Sequence, residues 1–226
     1  MFCTLPARSF ALAALAACAL TCHAVPIGNS QGSAEFPQGA ASFADAVVSY
    51  AVGGGGVTAP HQGASNATGL PNYAGTNGCA SQAACSFVSL GDGGSVTLRF
   101  VDNLLTGSGS NAPDLWVFEV GPDIEDTFID ISKDGVVWFP VGKVFGSTAG
   151  IDIDAFGFGA AEQFAFVRLT DDTNEGGQSG ITAGADIDAV GAISTVIVRV
   201  PEPGSLVLAG LGLAALTRLR RRRQGA

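Results

Sequence analysis

The stretch that decides the fold is Phe128-Ile129-Asp130-Ile131-Ser132-Lys133-Asp134-Gly135-Val136-Val137-Trp138-Phe139-Pro140-Val141. Residues 128–132 and 136–141 are rich in β-branched and aromatic side chains, and Asp134-Gly135 between them supplies the positive φ angles that a tight hairpin turn demands. An antiparallel hairpin is predicted, and the same chemistry repeats on both sides of it. Upstream, Val96, Leu98 and Phe100 alternate with Thr97 and Arg99, the two-residue period of a half-buried strand, and residues 115–120 form a more deeply buried one. Downstream, residues 164–169, 187–193 and 196–200 complete the set, with weaker strands at 47–52 and 87–90. The glycine-rich stretches 53–56 and 75–78 are loops without a phosphate-cradling pattern before a helix, and no amphipathic run of helix length interrupts the series. Eight or more strands in one domain of this size predict an all-β fold, a β-sandwich or jelly roll.

The two ends follow different rules. Val200-Pro201-Glu202-Pro203-Gly204 cannot continue a strand ladder, because two prolines lack the N–H donor, so the folded body should end near Val200. An apolar run over 205–217 follows, with Leu206, Val207, Leu208, Leu211, Leu213 and Leu216 spread round every side of a helix, and Arg218, Arg220, Arg221, Arg222 and Arg223 close it. Those arginines stay in the cytoplasm by the positive-inside tendency, which places the body across the membrane. The uninterrupted run of about 13 residues is short of the roughly 20 that span a bilayer comfortably, which favours a processed signal over a lasting anchor. In order and content this tail resembles the PEP-CTERM sorting signal of bacterial surface proteins, with Pro201, Glu202 and Pro203 as the tripeptide. The resemblance implies recognition by an exosortase-type membrane protease, then release or onward transfer, in a Gram-negative bacterium that makes exopolysaccharide.

At the other end Arg8 precedes the apolar run 10–20, and Cys22-His23-Ala24 puts small residues where a signal peptidase needs them, so cleavage is expected after Ala24. Cys18 and Cys22 lack a convincing lipobox, which sets a lipoprotein second. The chain divides into a signal peptide at 1–24, a lead segment at 25–42, a β-sandwich domain at 43–200 and a sorting tail at 201–226. Removing both ends leaves five basic residues (Arg99, Lys133, Lys143, Arg168, Arg199) against nineteen acidic ones, a formal charge of about −14. A body that negative argues against nucleic acid and anionic lipid as partners, and leaves the membrane to the C-terminal signal before processing. The expected destination is the cell surface or extracellular matrix.

The body itself resembles secreted jelly-roll proteins of galactose-binding-like topology. The phrases that carry this are Phe43-Ala44-Asp45, Ala67-Thr68-Gly69-Leu70-Pro71-Asn72, Ser89-Leu90-Gly91-Asp92-Gly93-Gly94-Ser95-Val96-Thr97-Leu98, Asp114-Leu115-Trp116-Val117-Phe118-Glu119, Val167-Arg168-Leu169-Thr170-Asp171 and Ala185-Asp186-Ile187-Asp188-Ala189-Val190. The chain departs from that pattern at Asn72, where aspartate is expected, and in the loop closed by Cys79 and Cys85. These two cysteines survive signal removal as a pair and are expected to form a disulfide, because a lone C-x5-C is poor zinc chemistry.

Calcium is the chemistry an acidic exported body suits best, with Asp114, Glu119, Asp186 and Asp188 as expected oxygen ligands. In an extended Asp-x-Asp the carboxylates stand about 7 Å apart on one face, which a cation bridges only if the chain bends. Asp123 with Glu125 and Asp126, Asp152 with Asp154, and Asp171 with Asp172 read as solvated loop acids. His61 is the one histidine left after signal removal and lies in a loop-like setting without a nucleophile elbow, so no catalytic residues are assigned and no enzyme is expected. Trp116 and Trp138 lie inside apolar strands, the setting of core rather than of a sugar platform. The expected role is a non-catalytic surface or biofilm-matrix protein, with a carbohydrate-binding module for exopolysaccharide as the alternative and a secreted hydrolase third.

Overall fold

A computed structural model describes residues 24–76, 78–121, 125–175 and 177–197. Apart from Ala24, the expected signal peptide lies outside the described residues, and so does the whole sorting tail. Thirteen strands follow in order: β1 (Val25–Asn29), β2 (Gly32–Phe36), β3 (Ala46–Ala51), β4 (Val88–Ser89), β5 (Ser95–Arg99), β6 (Asn103–Leu105), β7 (Leu115–Glu119), β8 (Thr127–Ser132), β9 (Trp138–Val144), β10 (Ala149–Ile151), β11 (Phe166–Asp171), β12 (Asp186–Ala192) and β13 (Thr195–Ile197). Every pairing is antiparallel. A five-stranded sheet in the order β3-β5-β11-β8-β9 packs against a four-stranded sheet in the order β10-β7-β12-β4, and two further two-stranded ribbons, β1-β2 and β13-β6, complete the set. The body is a β-sandwich, as the strand periodicity predicts.

Alternation along the strands builds the core. Val96 and Leu98 of β5, Ile129 and Ile131 of β8, and Val167 and Leu169 of β11 point inward from one sheet. Leu115 and Val117 of β7, with Ile187 and Val190 of β12, meet them from the other. The four-stranded sheet is covered on both faces. Phe118 and Ala189 turn outward into a second cluster with Phe36 of β2 and Phe43, whose rings lie 4.6 Å apart. This is why β7 reads as a continuous apolar run: a strand buried on both sides has no polar face to alternate with. Gly191 of β12 permits the second cluster, since a Cβ there would fall 2.6 Å from the Phe36 ring.

Two sequence expectations need correction. The lead segment 25–42 carries the β1-β2 hairpin, whose Ala34 and Phe36 are buried while Ser33 and Glu35 are exposed. The glycines and Pro26 of that hairpin hide the alternation. The Asp134-Gly135 connection is no two-residue turn: Ser132 pairs with Trp138, five residues lie between them, and only Gly135 of the pair takes a positive φ. The Asp134 carboxylate explains the longer loop. It accepts the backbone N–H groups of Val136 (2.8 Å) and Val137 (2.9 Å), drawing both out of the ladder, so Val136 and Val137 are exposed.

Candidate functional site

The four acids expected to share calcium do not converge on one point: Asp114 and Asp188 stand apart from the pair Glu119 and Asp186. Asp114 and Glu119 flank the length of β7, five residues apart and so about 17 Å apart in an extended chain. At the β12 end the chain does bend, through a bulge that leaves Asp188 without a partner residue on β7. The Asp188 carboxylate then serves as an anchor. It accepts the Asn29 side-chain amide (2.7 Å) and the backbone N–H groups of Asn72 (3.0 Å) and Tyr73 (3.1 Å). Asn72 therefore contributes its backbone, and the loss of a carboxylate at that position leaves this contact intact.

Asp186 and Glu119 do meet. Ser89 donates a 2.5 Å hydrogen bond to Asp186 Oδ1, and the Asp186 N–H reaches Glu119 Oε1 at 3.4 Å. Glu125, itself buried, adds a third carboxyl group, packed so closely beneath the chain that a Cβ on Gly177 would overlap its Oε1. Burial, then the charges of Glu125 and Asp186, push Glu119 up to about 10, so it carries a proton at neutral pH. Burial likewise raises Asp186 well above the ordinary carboxylate range, against the Ser89 hydrogen bond.

Asp114 belongs to a different constellation, with Asp152 and Asp154, which the sequence reading placed among solvated loops. One carboxylate oxygen from each of Asp114, Asp152 and Asp154 lies within 4.8 Å of the other two. A backbone N–H aims each group: Ile153 donates to Asp114 Oδ2 (3.0 Å), Asp154 to Asp152 Oδ1 (2.9 Å) and Gly109 to Asp154 Oδ2 (2.8 Å). Asp114 is 0% exposed and its Oδ1 accepts no hydrogen bond. Burial raises its pKa, opposed by Ser194, the Ile153 N–H and Ser108 and reinforced by the Asp154 charge. Gly107 closes the corner, since a Cβ on it would overlap the Phe158 carbonyl and stand 2.8 Å from Asp154 Oδ1.

A third group of acids supplies a comparison. Asp126, Asp172 and Glu175 also converge, but Lys143 Nζ sits among them, ion-paired to Asp126, to Asp172 at 3.0 Å and to Glu175 at 3.5 Å. Asp172 is held low chiefly by the Lys143 hydrogen bond, and Lys143 is raised chiefly by Asp126. Glu125, Asp126, Asp171 and Asp172 are all buried, so these acids are not the solvated loops their spacing suggested. The four described basic side chains of the body each lie over an aromatic ring: Arg99 over Phe166, Lys133 over Phe164, Lys143 over Phe128 and Arg168 over Trp138. The register across the five-stranded sheet aligns Arg99, Phe166, Ser132 and Trp138 in one outward row and Arg168 with Asp130 in the next. Arg168 is bound to Asp130 at 3.0 Å.

Cys79 and Cys85 are joined, with Cα atoms 4.9 Å apart. Their bridge packs on a small cluster of Tyr73, Phe87 and Val120. His61 lies beside it, 2% exposed, its Nδ1 2.9 Å from the Thr58 hydroxyl and its ring 5.7 Å from Phe87. Both sulfurs are consumed in the bridge, so this grouping offers no thiolate to a metal. Trp116 packs half-buried against the phenylalanine cluster.

Among known proteins, the PEP-CTERM protein-sorting motif matches residues 199–223. That motif implies an exported protein, anchored transiently in the membrane and processed by an exosortase-type membrane protein. No curated protein matches the chain. A similar solved structure is the C-terminal domain of a chitobiase from Bacteroides fragilis, 11% identical with a TM-score of 0.32, covering 47% of this chain; the chain in turn spans 65% of that domain.

Proposed function

We propose that this is a non-catalytic cell-surface or biofilm-matrix protein, delivered by its sorting tail and stiffened by calcium and one disulfide. The observation that carries the reading is the sorting motif at 199–223, which follows directly on the last strand of a sandwich bearing a large excess of acid. The setting of His61 supports a structural role for the one histidine of the body, because its ring is packed against Phe87 and its Nδ1 is engaged by Thr58. Processing after Ala24 suits β1, which starts at Val25 and needs a chain free to lie along β2.

Replacing Pro201, Glu202 and Pro203 together by alanine tests the delivery step. The expected result is a protein that keeps its tail and stays in the inner membrane fraction. Release to the same extent as the native protein overturns the reading.

A second reading, a carbohydrate-binding module for exopolysaccharide, is favoured by one observation. The outer face of the five-stranded sheet presents two cation–ring pairs, Arg99 over Phe166 and Arg168 over Trp138, a surface suited to a sugar chain that carries carboxylates.

A further inference from the structure

We infer that the corner formed by Asp114, Asp152 and Asp154 is a calcium site that ties the connection between β6 and β7 to the exit of β10. Three carboxylate oxygens within 4.8 Å of one another suit an ion whose ligands sit at about 2.3 to 2.6 Å, since opposite ligands are then about 5 Å apart. The backbone N–H groups of Ile153, Asp154 and Gly109 each hold one oxygen of a carboxylate, and Asp114 Oδ1 is left without a hydrogen-bond partner. Asp114 Oδ1 is the decisive atom, wholly buried and unpartnered, which in a native protein calls for an ion or a water as its complement.

The Lys143 cluster sharpens the argument. Where Asp126, Asp172 and Glu175 converge, the chain supplies its own cation. Among the described residues no ion pair reaches Asp114, Asp152 or Asp154, so the buried Asp114 lacks the compensation that buried charge requires and faces two half-buried acids instead. The Phe158 carbonyl, beside Gly107 in the same corner, is a further oxygen of the kind calcium takes. Asp154 already grips Gly109, so filling the corner fixes the exposed loop 108–112. The site rests on the proposed export only for its supply of calcium: a protein that binds the ion yet stays in the inner membrane refutes delivery alone, and one released without binding refutes the site alone.

The test uses the released protein, with Ca²⁺ and Tb³⁺ as probes and melting temperature and terbium emission as readouts. Trp116, two residues from Asp114 on β7, is the sensitiser. A dissociation constant of about 10⁻⁴ to 10⁻³ M is expected, the range of extracellular calcium modules. Calcium at about 30 times that constant should raise the Tm by roughly 4 to 8 °C. Asp152→Asn and Asp154→Asn should each weaken binding at least about tenfold while keeping the chelator-treated Tm of the native protein. Asp172→Asn should keep the calcium response. Absence of any shift in the native protein overturns the site. So does a shift that survives Asp152→Asn with Asp154→Asn, or one abolished by Glu119→Gln instead.

Discussion

Glu119 illustrates how a single buried acid sets the behaviour of its surroundings. Its folded pKa, about 10, lies above the ordinary 4.5, so between those values the native state keeps a proton that the unfolded chain has lost. Stability from this group is therefore complete below about pH 4.5 and declines as pH rises towards 10. Asp186, Asp188 and Asp171, all raised mainly by burial, act in the same sense. Asp134 and Asp172 are lowered and act in the opposite sense, their contribution being lost as pH falls through the range below 3.8. In chelator, melting should be highest in mildly acid buffer and fall steadily from pH 5.5 to pH 8.5. Glu119→Gln, which stays neutral at every pH, should flatten that decline. A decline as steep as in the native protein would show that Glu119 is not its source. None of this was legible from spacing: the sequence marks Glu119 and Asp186 as acids, but the partners Ser89 and Glu125 are 97 and 61 residues away from Asp186 along the chain.

At the level of elements, strands with a clean two-residue period declared themselves, and strands defined by their neighbours did not. Ser95–Arg99 matches the alternation read at 96–100, and the strand read at 164–169 lies two residues later, at Phe166–Asp171, where one face is dry and the other partly wet. β6 and β10, three residues each, are too short to show any period. Asp152-Ile153-Asp154 has the same spacing as Asp186-Ile187-Asp188, a signal present in the sequence; what brings it to Asp114 is the antiparallel pairing of β10 with β7. The bridged loop 79–85 is an element held by one covalent tie. Cutting a ring of this size, by Cys79→Ser with Cys85→Ser, should cost about 2 kcal/mol. A Tm lower by roughly 4 to 8 °C is expected, measured against the native protein under non-reducing conditions. An unchanged Tm would mean that the underlying packing of Phe87 and Tyr73 holds the loop unaided.

For the whole molecule, the cations of the five-stranded sheet have acid partners, Lys143 with Asp126, Asp172 and Glu175 and Arg168 with Asp130, whereas Asp114 and Glu119 at the ends of β7 have no basic partner among the described residues. Arg99, Lys143 and Arg168 lie on the five-stranded sheet, and the Asp114 corner and the Glu119 cluster flank opposite ends of β7 in the other. If an acidic polysaccharide is the partner, mobility of the protein in gels containing the producer's own exopolysaccharide should fall. Arg99→Ser with Phe166→Ser should restore it, since both side chains are outward on adjacent strands. Equal mobility with and without the polysaccharide would remove the carbohydrate reading and leave the matrix role. The fold class and the delivery route were open to the sequence because strand period and tail composition are local properties; the grouping of acids depends on register between distant strands. The last ribbon carries a mechanical consequence. β13 is paired to β6 through only three residues, Thr195 to Leu105, Val196 to Leu104 and Ile197 to Asn103, and the matched motif begins two residues beyond it. Any pull on the C-terminus while the protein is tethered loads that ribbon first, so β13 would peel like the weak link of a chain and spare the sandwich behind it.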